Sequence, residues 1–453
     1  MPQTHLIERK LRISHNLSLA FYVIFAFLYL FGFGIKLKGV PVGILLGFFS
    51  GSYILATGSF QSFLRLWGRE IILIVGMIVY MLCVELILGP GITTTSFSIY
   101  LFRILFDGIL PAHILMMLAK KFRITYRILV EILIAFCVFQ FVAAIMMMTF
   151  PALKQQFLFS WLELDQGTIM MGETISLFRG FGIAVTYLAW FPYSLALIYS
   201  LVLFNNEIRS RYRLFLFFLC ILILIAVNAR VAFVPLIISI FSYVVLNRNS
   251  QAIKSVVFYS ILVALLLIGL SYIHFGEETA IRVQFLRSWI FEEGFLSIGS
   301  SQGNATLGDL SNYKILSNFN IVDFVFGRGT LLIPEKVDLY TDVGYLQTLF
   351  TGGILLLVAL LSLFSMLIWK LAKNIEKYQI KAQISKTLKY YPYLFALALL
   401  IGHYKLRILE INETTKLLLL LISNFMANSA LGPPNTTTKS SFRVAPCGLW
   451  DGH

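Results

Sequence analysis

The chain is predicted to be an all-α protein that crosses a membrane about twelve times. Hydrophobic residues make up 58% of its 453 residues and charged residues only 13%, and its mean hydropathy is +0.84. One soluble core cannot bury so much apolar surface, so lipid must form part of the solvent. Apolar runs of about 20 residues, long enough to cross a ~30 Å hydrocarbon layer, recur with no soluble domain between them.

The membrane region is predicted to cover residues 1–427, and residues 428–453 form a Pro/Gly/Ser/Thr-rich tail that is predicted to be disordered. The last apolar segment is short. Its core from Lys416 to Phe425 crosses about half a bilayer, which favours a re-entrant segment or an altered C-terminus. The predicted spans lie near residues 17–35, 40–59, 71–89, 98–118, 128–150, 182–204, 214–228, 231–246, 255–273, 344–369, 391–403 and 414–427.

Basic residues predict the orientation of these spans, because Lys and Arg accumulate in short cytoplasmic loops. The first apolar run follows Arg9, Lys10 and Arg12, and it is too long for a cleaved signal, so the N-terminus is predicted to be cytoplasmic. Alternate loops are basic, with one local exception at Lys36 and Lys38. The long segments 152–181 and 274–343 then face the opposite side. The basic groups are Arg65/Arg69, Lys120/Lys121/Arg123/Arg127, Arg209/Arg211/Arg213, Arg248/Lys254 and Lys373/Lys377/Lys381/Lys386/Lys389.

Several function classes are not indicated by the motifs. The net charge of +14 is dispersed over short loops, which argues against a nucleic-acid groove. The four cysteines and six histidines show no metal-ligand spacing, and the chain has no GxxxxGK[ST] loop. We therefore expect neither a metal nor a cofactor.

Charged residues inside predicted spans form a second group. Arg103 and Asp107 are four residues apart, so they share a helical face and are predicted to pair. Such a pair either holds helices together or marks a transport site. Glu85 and Glu131 lie near span ends and are expected to reach the interface.

Arginines from separate segments are predicted to meet on the side opposite the cytoplasm. A guanidinium group binds phosphate in a bidentate manner and can stabilise a pyrophosphate leaving group. A lipid pyrophosphate suits this arrangement, although each arginine could instead contact lipid headgroups independently. The arginines are Arg179, Arg230, Arg282, Arg287 and Arg328.

The chain resembles the O-antigen polymerases (Wzy) and, more distantly, the O-antigen ligases of the bacterial envelope. The resemblance depends on the predicted topology with two long extracytoplasmic loops and on four short strings. These strings are RGFG at 179–182, NAR at 228–230, FGRG at 326–329 and TDVGYLQTLFTGGIL at 341–355. It covers most of the chain up to about residue 427.

This resemblance implies a multi-pass protein of the bacterial inner membrane with a glycosyltransferase C-like fold. It implies that the protein joins oligosaccharide repeat units carried on undecaprenyl pyrophosphate, at the periplasmic face. Neither a nucleotide sugar nor a metal is required. Membrane lipid and a chain-length regulator are the other implied partners.

Within this framework, Asp342, Arg230 and Arg287 are the expected catalytic residues. Asp342 would act as the base for the acceptor hydroxyl, although an aspartate at a helix start also serves as an N-cap. The ligase relatives typically carry histidine at that position, which favours a polymerase. A ligase and a lipid-linked oligosaccharide flippase are the alternatives. The expected substrate-binding residues are Arg179, Arg282, Arg328 and Tyr345.

Overall fold

The structure is a computed structural model. It describes residues 2–32, 36–37, 40–89, 97–150, 152, 156, 190–205, 211–228, 232–247, 320–329, 344–382, 386–405 and 412–430. Two short antiparallel strands, β1 (Lys36–Leu37) and β2 (Val40–Pro41), are the exceptions to a helical architecture in this part of the chain. The helices are α1 (Pro2–Phe31), α2 (Val42–Ala56), α3 (Phe60–Ile87), α4 (Phe97–Arg103), a π-helix (Ile104–Ile109), α5 (Leu110–Lys121), α6 (Tyr126–Thr149), α7 (Trp190–Asn205), α8 (Arg211–Asn228), α9 (Phe233–Asn247), α10 (Ile321–Phe326), α11 (Gly344–Ala382), a 3₁₀ helix (Lys386–Tyr390), α12 (Tyr391–Lys405) and α13 (Glu413–Ala430).

The distribution of polar and apolar side chains is that of a membrane protein. Ile72 and Ile87 are about three-quarters exposed, whereas Lys416 and Asp107 are buried. Such exposed apolar faces are stable when lipid covers them. Among the described residues, four helical stretches are long and apolar enough to cross a membrane: Phe60–Ile87, Phe97–Lys121, Tyr126–Met147 and Gly344–Gln379. The protein is therefore an all-α membrane protein.

The described helices overlap eleven of the twelve predicted spans, and the span predicted at 255–273 lies outside the described residues. Five of these helices are apolar over only 10–17 residues, so the count of twelve crossings stays a prediction. The predicted loops at 152–181 and 274–343 also lie largely outside the described part of the chain.

Helix α13 lies at the centre of the bundle, and its side chains are buried along almost its whole length. It packs mainly against α5 and α11. At one end the amides of Asn424 and Asn428 donate to the carbonyl of Ile124, at 3.2 and 3.1 Å. The short apolar segment from Lys416 to Phe425 is thus part of an 18-residue helix inside the protein. Burial by its neighbours, and not contact with lipid, stabilises it.

Two glycines of α2, on one face of the helix, bring it against the π-helix. A Cβ atom at Gly47 would lie 2.3 Å from the ring of Phe106, and one at Gly43 would lie 3.0 Å from Oδ2 of Asp107. Glycines four residues apart allow this close helix approach. Pro111 follows the π-helix by two residues, and it has no backbone N–H to donate to the backbone carbonyl of Asp107. The close approach of α2 therefore helps to bury the carboxylate of Asp107.

Candidate functional site

The structure describes two of the seven predicted site residues, Arg328 and Tyr345. Tyr345 lies in the first turn of α11, and the backbone amide of Arg328 donates to Phe350 in the same helix. The other five, Arg179, Arg230, Arg282, Arg287 and Asp342, lie outside the described residues, so their convergence stays a prediction.

Arg328 lies in the loop directly after the short helix α10. Asn320 caps this helix, because its side-chain oxygen accepts from the amide of Asp323 at 2.7 Å. The carboxylate of Asp323 in turn accepts from a terminal nitrogen of Arg328, also at 2.7 Å. The arginine side chain remains 36% exposed. The guanidinium group is therefore oriented by the protein and accessible from outside.

The loop that carries Arg328 docks onto a break in α11. Gly352 and Gly353 have non-helical backbone angles, and Gly353 has a φ of 65°. Such a break leaves helix carbonyls without their usual donors, which is costly inside a membrane. The backbone amide of Arg328 donates to the carbonyl of Phe350 at 2.7 Å, and that of Gly329 donates to Thr351 at 2.9 Å. The loop thus restores the hydrogen bonds that the break removes.

Glycine is required at this contact, which we call the glycine junction and define as residues 326–329 with residues 350–353. A Cβ atom at Gly353 would lie 2.2 Å from the carbonyl oxygen of Val325. One at Gly327, where φ is 75°, would lie 2.6 Å from two backbone nitrogens. The two backbones approach too closely for any side chain at either position.

Helix α3 covers the glycine junction on one side. The hydroxyl of Tyr80 lies 2.8 Å from the carbonyl oxygen of Gly352 and 3.2 Å from that of Phe326, so the two acceptors share its single proton. Gly89, just past the end of α3, approaches Gly329 backbone to backbone. Glu85 is fully buried and accepts hydrogen bonds from the backbone and hydroxyl of Ser98. The expectation that Glu85 reaches the membrane interface is therefore wrong: its carboxylate joins α3 to α4.

Tyr345 lies in α11 about 8 Å along the helix axis from Phe350. The carbonyl of Phe350 is the one that accepts a hydrogen bond from the amide of Arg328. The hydroxyl of Tyr345 donates to the carbonyl of Leu400 at 2.9 Å, and its ring packs edge-on against His403, with the centroids 4.6 Å apart. The hydroxyl of Thr348 donates to Gly344, so its contact with Nε2 of His403 at 3.3 Å requires the histidine to be the donor. Helices α11 and α12 are thereby joined beside Tyr345.

A separate set of charges lies in the interior, and we call it the buried charge cluster: Arg103, Asp107, Glu413 and Lys416. The predicted pair forms, with Nε of Arg103 2.8 Å from Oδ2 of Asp107. Lys416 lies within electrostatic range of the other three side chains, and its Nζ is 5.4 Å from the ring centroid of Tyr29. The hydroxyl of Tyr29 donates to Gly108 in the π-helix at 3.1 Å.

The carboxylates of this cluster are incompletely satisfied. Among the described residues, Oδ1 of Asp107 has no hydrogen-bond partner, and the oxygens of Glu413 have none beyond its own backbone amide. Buried charges without full hydrogen bonding are costly unless opposite charges compensate them. Arg103 and Lys416 supply that compensation, and the cluster as a whole is neutral when all four groups are charged.

Four residues described above, Tyr80, His403, Glu413 and Lys416, were not among those predicted from the sequence. A Gly-Gly pair inside an apolar span is a signal for a helix break, and a lysine within a short apolar segment is a signal for a buried charge. No sequence signal predicts Tyr80, which is separated from its two acceptors by 246 and 272 residues.

The described residues contain no group of three or more His, Cys, Asp and Glu side chains that could hold a metal ion. Comparisons of the chain with protein-family models, with curated proteins and with solved structures found no match.

Proposed function

We propose that the protein is a polysaccharide polymerase of a bacterial inner membrane that joins undecaprenyl-pyrophosphate-linked oligosaccharide units at the periplasmic face. One observation carries this proposal. FGRG at 326–329 and the TGGIL end of the 341–355 string, both of which contribute to the resemblance to O-antigen polymerases, are in direct backbone contact through the glycine junction. Two motifs that are separate in sequence therefore form one structural unit with an accessible arginine.

The proposed reaction transfers a growing glycan from one lipid carrier to a new repeat unit. The acceptor hydroxyl oxygen attacks the anomeric carbon of the donor sugar, and the bond from that carbon to the pyrophosphate oxygen breaks. The hydroxyl proton passes to Asp342. The leaving lipid pyrophosphate gains negative charge, so guanidinium groups stabilise it most in the transition state. Arg328 is the described member of the arginine set that performs this role.

The position of the glycine junction along α3 supports the periplasmic assignment. Tyr80 and Glu85 lie near the C-terminal end of this helix, whereas Arg65 lies in its first turns. Basic residues near a helix end indicate the cytoplasmic side. The junction therefore belongs at the other side of the membrane, where the repeat units would be joined.

Surface polysaccharide from a deletion strain tests the proposal. Loss of a polymerase leaves a single repeat unit attached to the acceptor. Loss of a ligase leaves none attached, and loss of a flippase causes the lipid intermediate to accumulate in the cytoplasm. A gel that shows full-length chains in the deletion strain would overturn the proposal.

Complementation with Arg328 variants tests the site itself. Arg328→Ala should fail to restore the polysaccharide ladder, and Arg328→Lys should restore it only in part, because lysine cannot bind phosphate in a bidentate manner. Arg65→Ala, at the opposite end of the bundle, is the matched control and should restore a normal ladder. Full complementation by both Arg328 variants would exclude this arginine from the reaction.

A carrier of lipid-linked oligosaccharide is the second candidate, and the buried charge cluster favours it. Charged side chains inside a membrane protein often mark a transport pathway. The same gel separates the two functions, because a carrier that fails leaves its substrate on the cytoplasmic side. Replacing Arg103 and Asp107 together by neutral residues should abolish the polysaccharide ladder if the protein is a carrier. The ladder should remain if the protein is a polymerase.

A further inference from the structure

We propose that Tyr80 is a positioning residue for Arg328: its hydroxyl holds the 326–329 loop against the broken helix α11. The inference rests on the proposed function and adds to it a residue that lies in another part of the chain. Tyr80 does not need to touch the substrate. It acts through the backbone of the loop.

The hydroxyl of Tyr80 lies between two carbonyls that both need a donor. Phe326 is the last residue of α10, where helix carbonyls lack intrahelical partners. The carbonyl of Gly352 lies at the break in α11. The hydroxyl is 3.2 Å from the first and 2.8 Å from the second. One side chain therefore connects two segments that are themselves about 25 residues apart.

These contacts place Arg328 within a closely spaced set of anchors. Tyr80 holds the loop two residues before the arginine, and the amides of Arg328 and Gly329 hold it at the arginine and one residue after. The carboxylate of Asp323 then orients the guanidinium group. A bidentate contact with phosphate depends on such fixed geometry, and small displacements at a site cost large factors in rate.

Met81 and Val84, which neighbour Tyr80 in α3, also approach the glycine junction closely. The Cβ of an alanine at Gly352 would lie 2.7 Å from Sδ of Met81, and one at Gly329 would lie 3.0 Å from the carbonyl oxygen of Val84. Both sides of the junction, α11 at Gly352 and the loop at Gly329, therefore lie against α3 without space for a side chain. Loss of the Tyr80 hydroxyl should loosen the loop and not relocate it.

Hydrogen exchange on the full-length protein in detergent tests the contact directly. In Tyr80→Phe the ring remains and the donor is lost, so the amides of residues 326–329 should exchange about threefold to tenfold faster, the range that one lost hydrogen bond produces. Tyr393→Phe, on an exposed tyrosine of α12, is the control and should leave these amides unchanged. Unchanged exchange in Tyr80→Phe would overturn the proposal, whatever the protein's activity proves to be.

Ladder formation in the complemented deletion strain tests the positioning role. Tyr80→Phe should shorten the chains or slow their formation severalfold at an unchanged protein level, and the same substitution should have a much smaller effect in an Arg328→Lys background. Such non-additivity indicates that the two residues act together. An equal loss in both backgrounds would show that Tyr80 supports the fold alone. If the deletion strain shows normal ladders, the proposed function fails and the exchange measurement still decides the contact.

Discussion

The glycine junction and the buried charge cluster both place polar groups among apolar helices, but they stabilise them differently. At the junction the polar groups are backbone carbonyls, and each receives a hydrogen bond from Tyr80, Arg328 or Gly329. In the cluster they are ionisable side chains of opposite sign, and parts of Asp107 and Glu413 lack partners among the described residues. The junction therefore depends on shape, and the cluster depends on charge balance.

This difference predicts which substitutions each region tolerates. The fold of a junction made of backbone contacts tolerates changes in side-chain charge and is disrupted when a Cβ atom is added. A cluster of buried charges tolerates a neutral pair and fails when one charge is removed alone. Substitutions that exploit this contrast can show whether the cluster serves stability or transport.

Removal of the lysine should have the largest effect on stability. Lys416→Met leaves Asp107 and Glu413 with one cation between them, and an uncompensated buried charge costs about 3–5 kcal/mol. We expect this decrease in the free energy of unfolding of the full-length protein in detergent, measured by denaturant titration. Lys120→Met, at an exposed end of α5, should change stability by less than about 0.5 kcal/mol.

The double variant Glu413→Gln/Lys416→Met sharpens this test, because it restores neutrality. It should be more stable than Lys416→Met alone. Where the double variant folds, a polymerase should retain its ladder. A folded double variant that blocks movement of the lipid intermediate would instead assign the cluster to transport.

A side chain at the helix break should have the next largest effect on stability and a larger effect on activity. Gly353→Ala forces alanine to a φ of 65° at a cost of about 1–3 kcal/mol, and its Cβ would displace the loop of Arg328. Ladder formation should be lost while the protein still inserts. Gly76→Ala has open space around it and should gain about 0.5–1 kcal/mol. A normal ladder in Gly353→Ala would show that the docked loop is dispensable.

We expect the smallest effect from the hydrogen bond between Ser98 and Glu85, which lies between the glycine junction and the buried charge cluster. Ser98→Ala removes a hydroxyl that donates to Glu85 at 2.6 Å but leaves the backbone amide in place. One such hydrogen bond contributes about 1 kcal/mol. Thermal unfolding should show this loss with ladder length unchanged. If the ladder shortens as strongly as in Gly353→Ala, the junction and the cluster are coupled through α3 and α4.

Much of the helical architecture was predictable, because apolar length alone indicates a membrane helix. The pairing of Arg103 with Asp107 was also predictable, since residues four apart share a helical face. The burial of Glu85 was not. Its partner Ser98 lies beyond a connection whose path no local pattern determines, and a position near a span end favours the interface instead.

Composition and periodicity determined that this chain is an all-α membrane protein, and local spacing determined the contacts within single helices. Tertiary structure alone decided that Tyr80 meets Phe326 and Gly352, and that Lys416 faces Tyr29 and the π-helix. The physical reason is that lipid accepts any apolar helix face equally. Which faces pack together is selected by backbone approach at glycines and by the need to satisfy buried polar groups, and both depend on residues that are far apart in the chain.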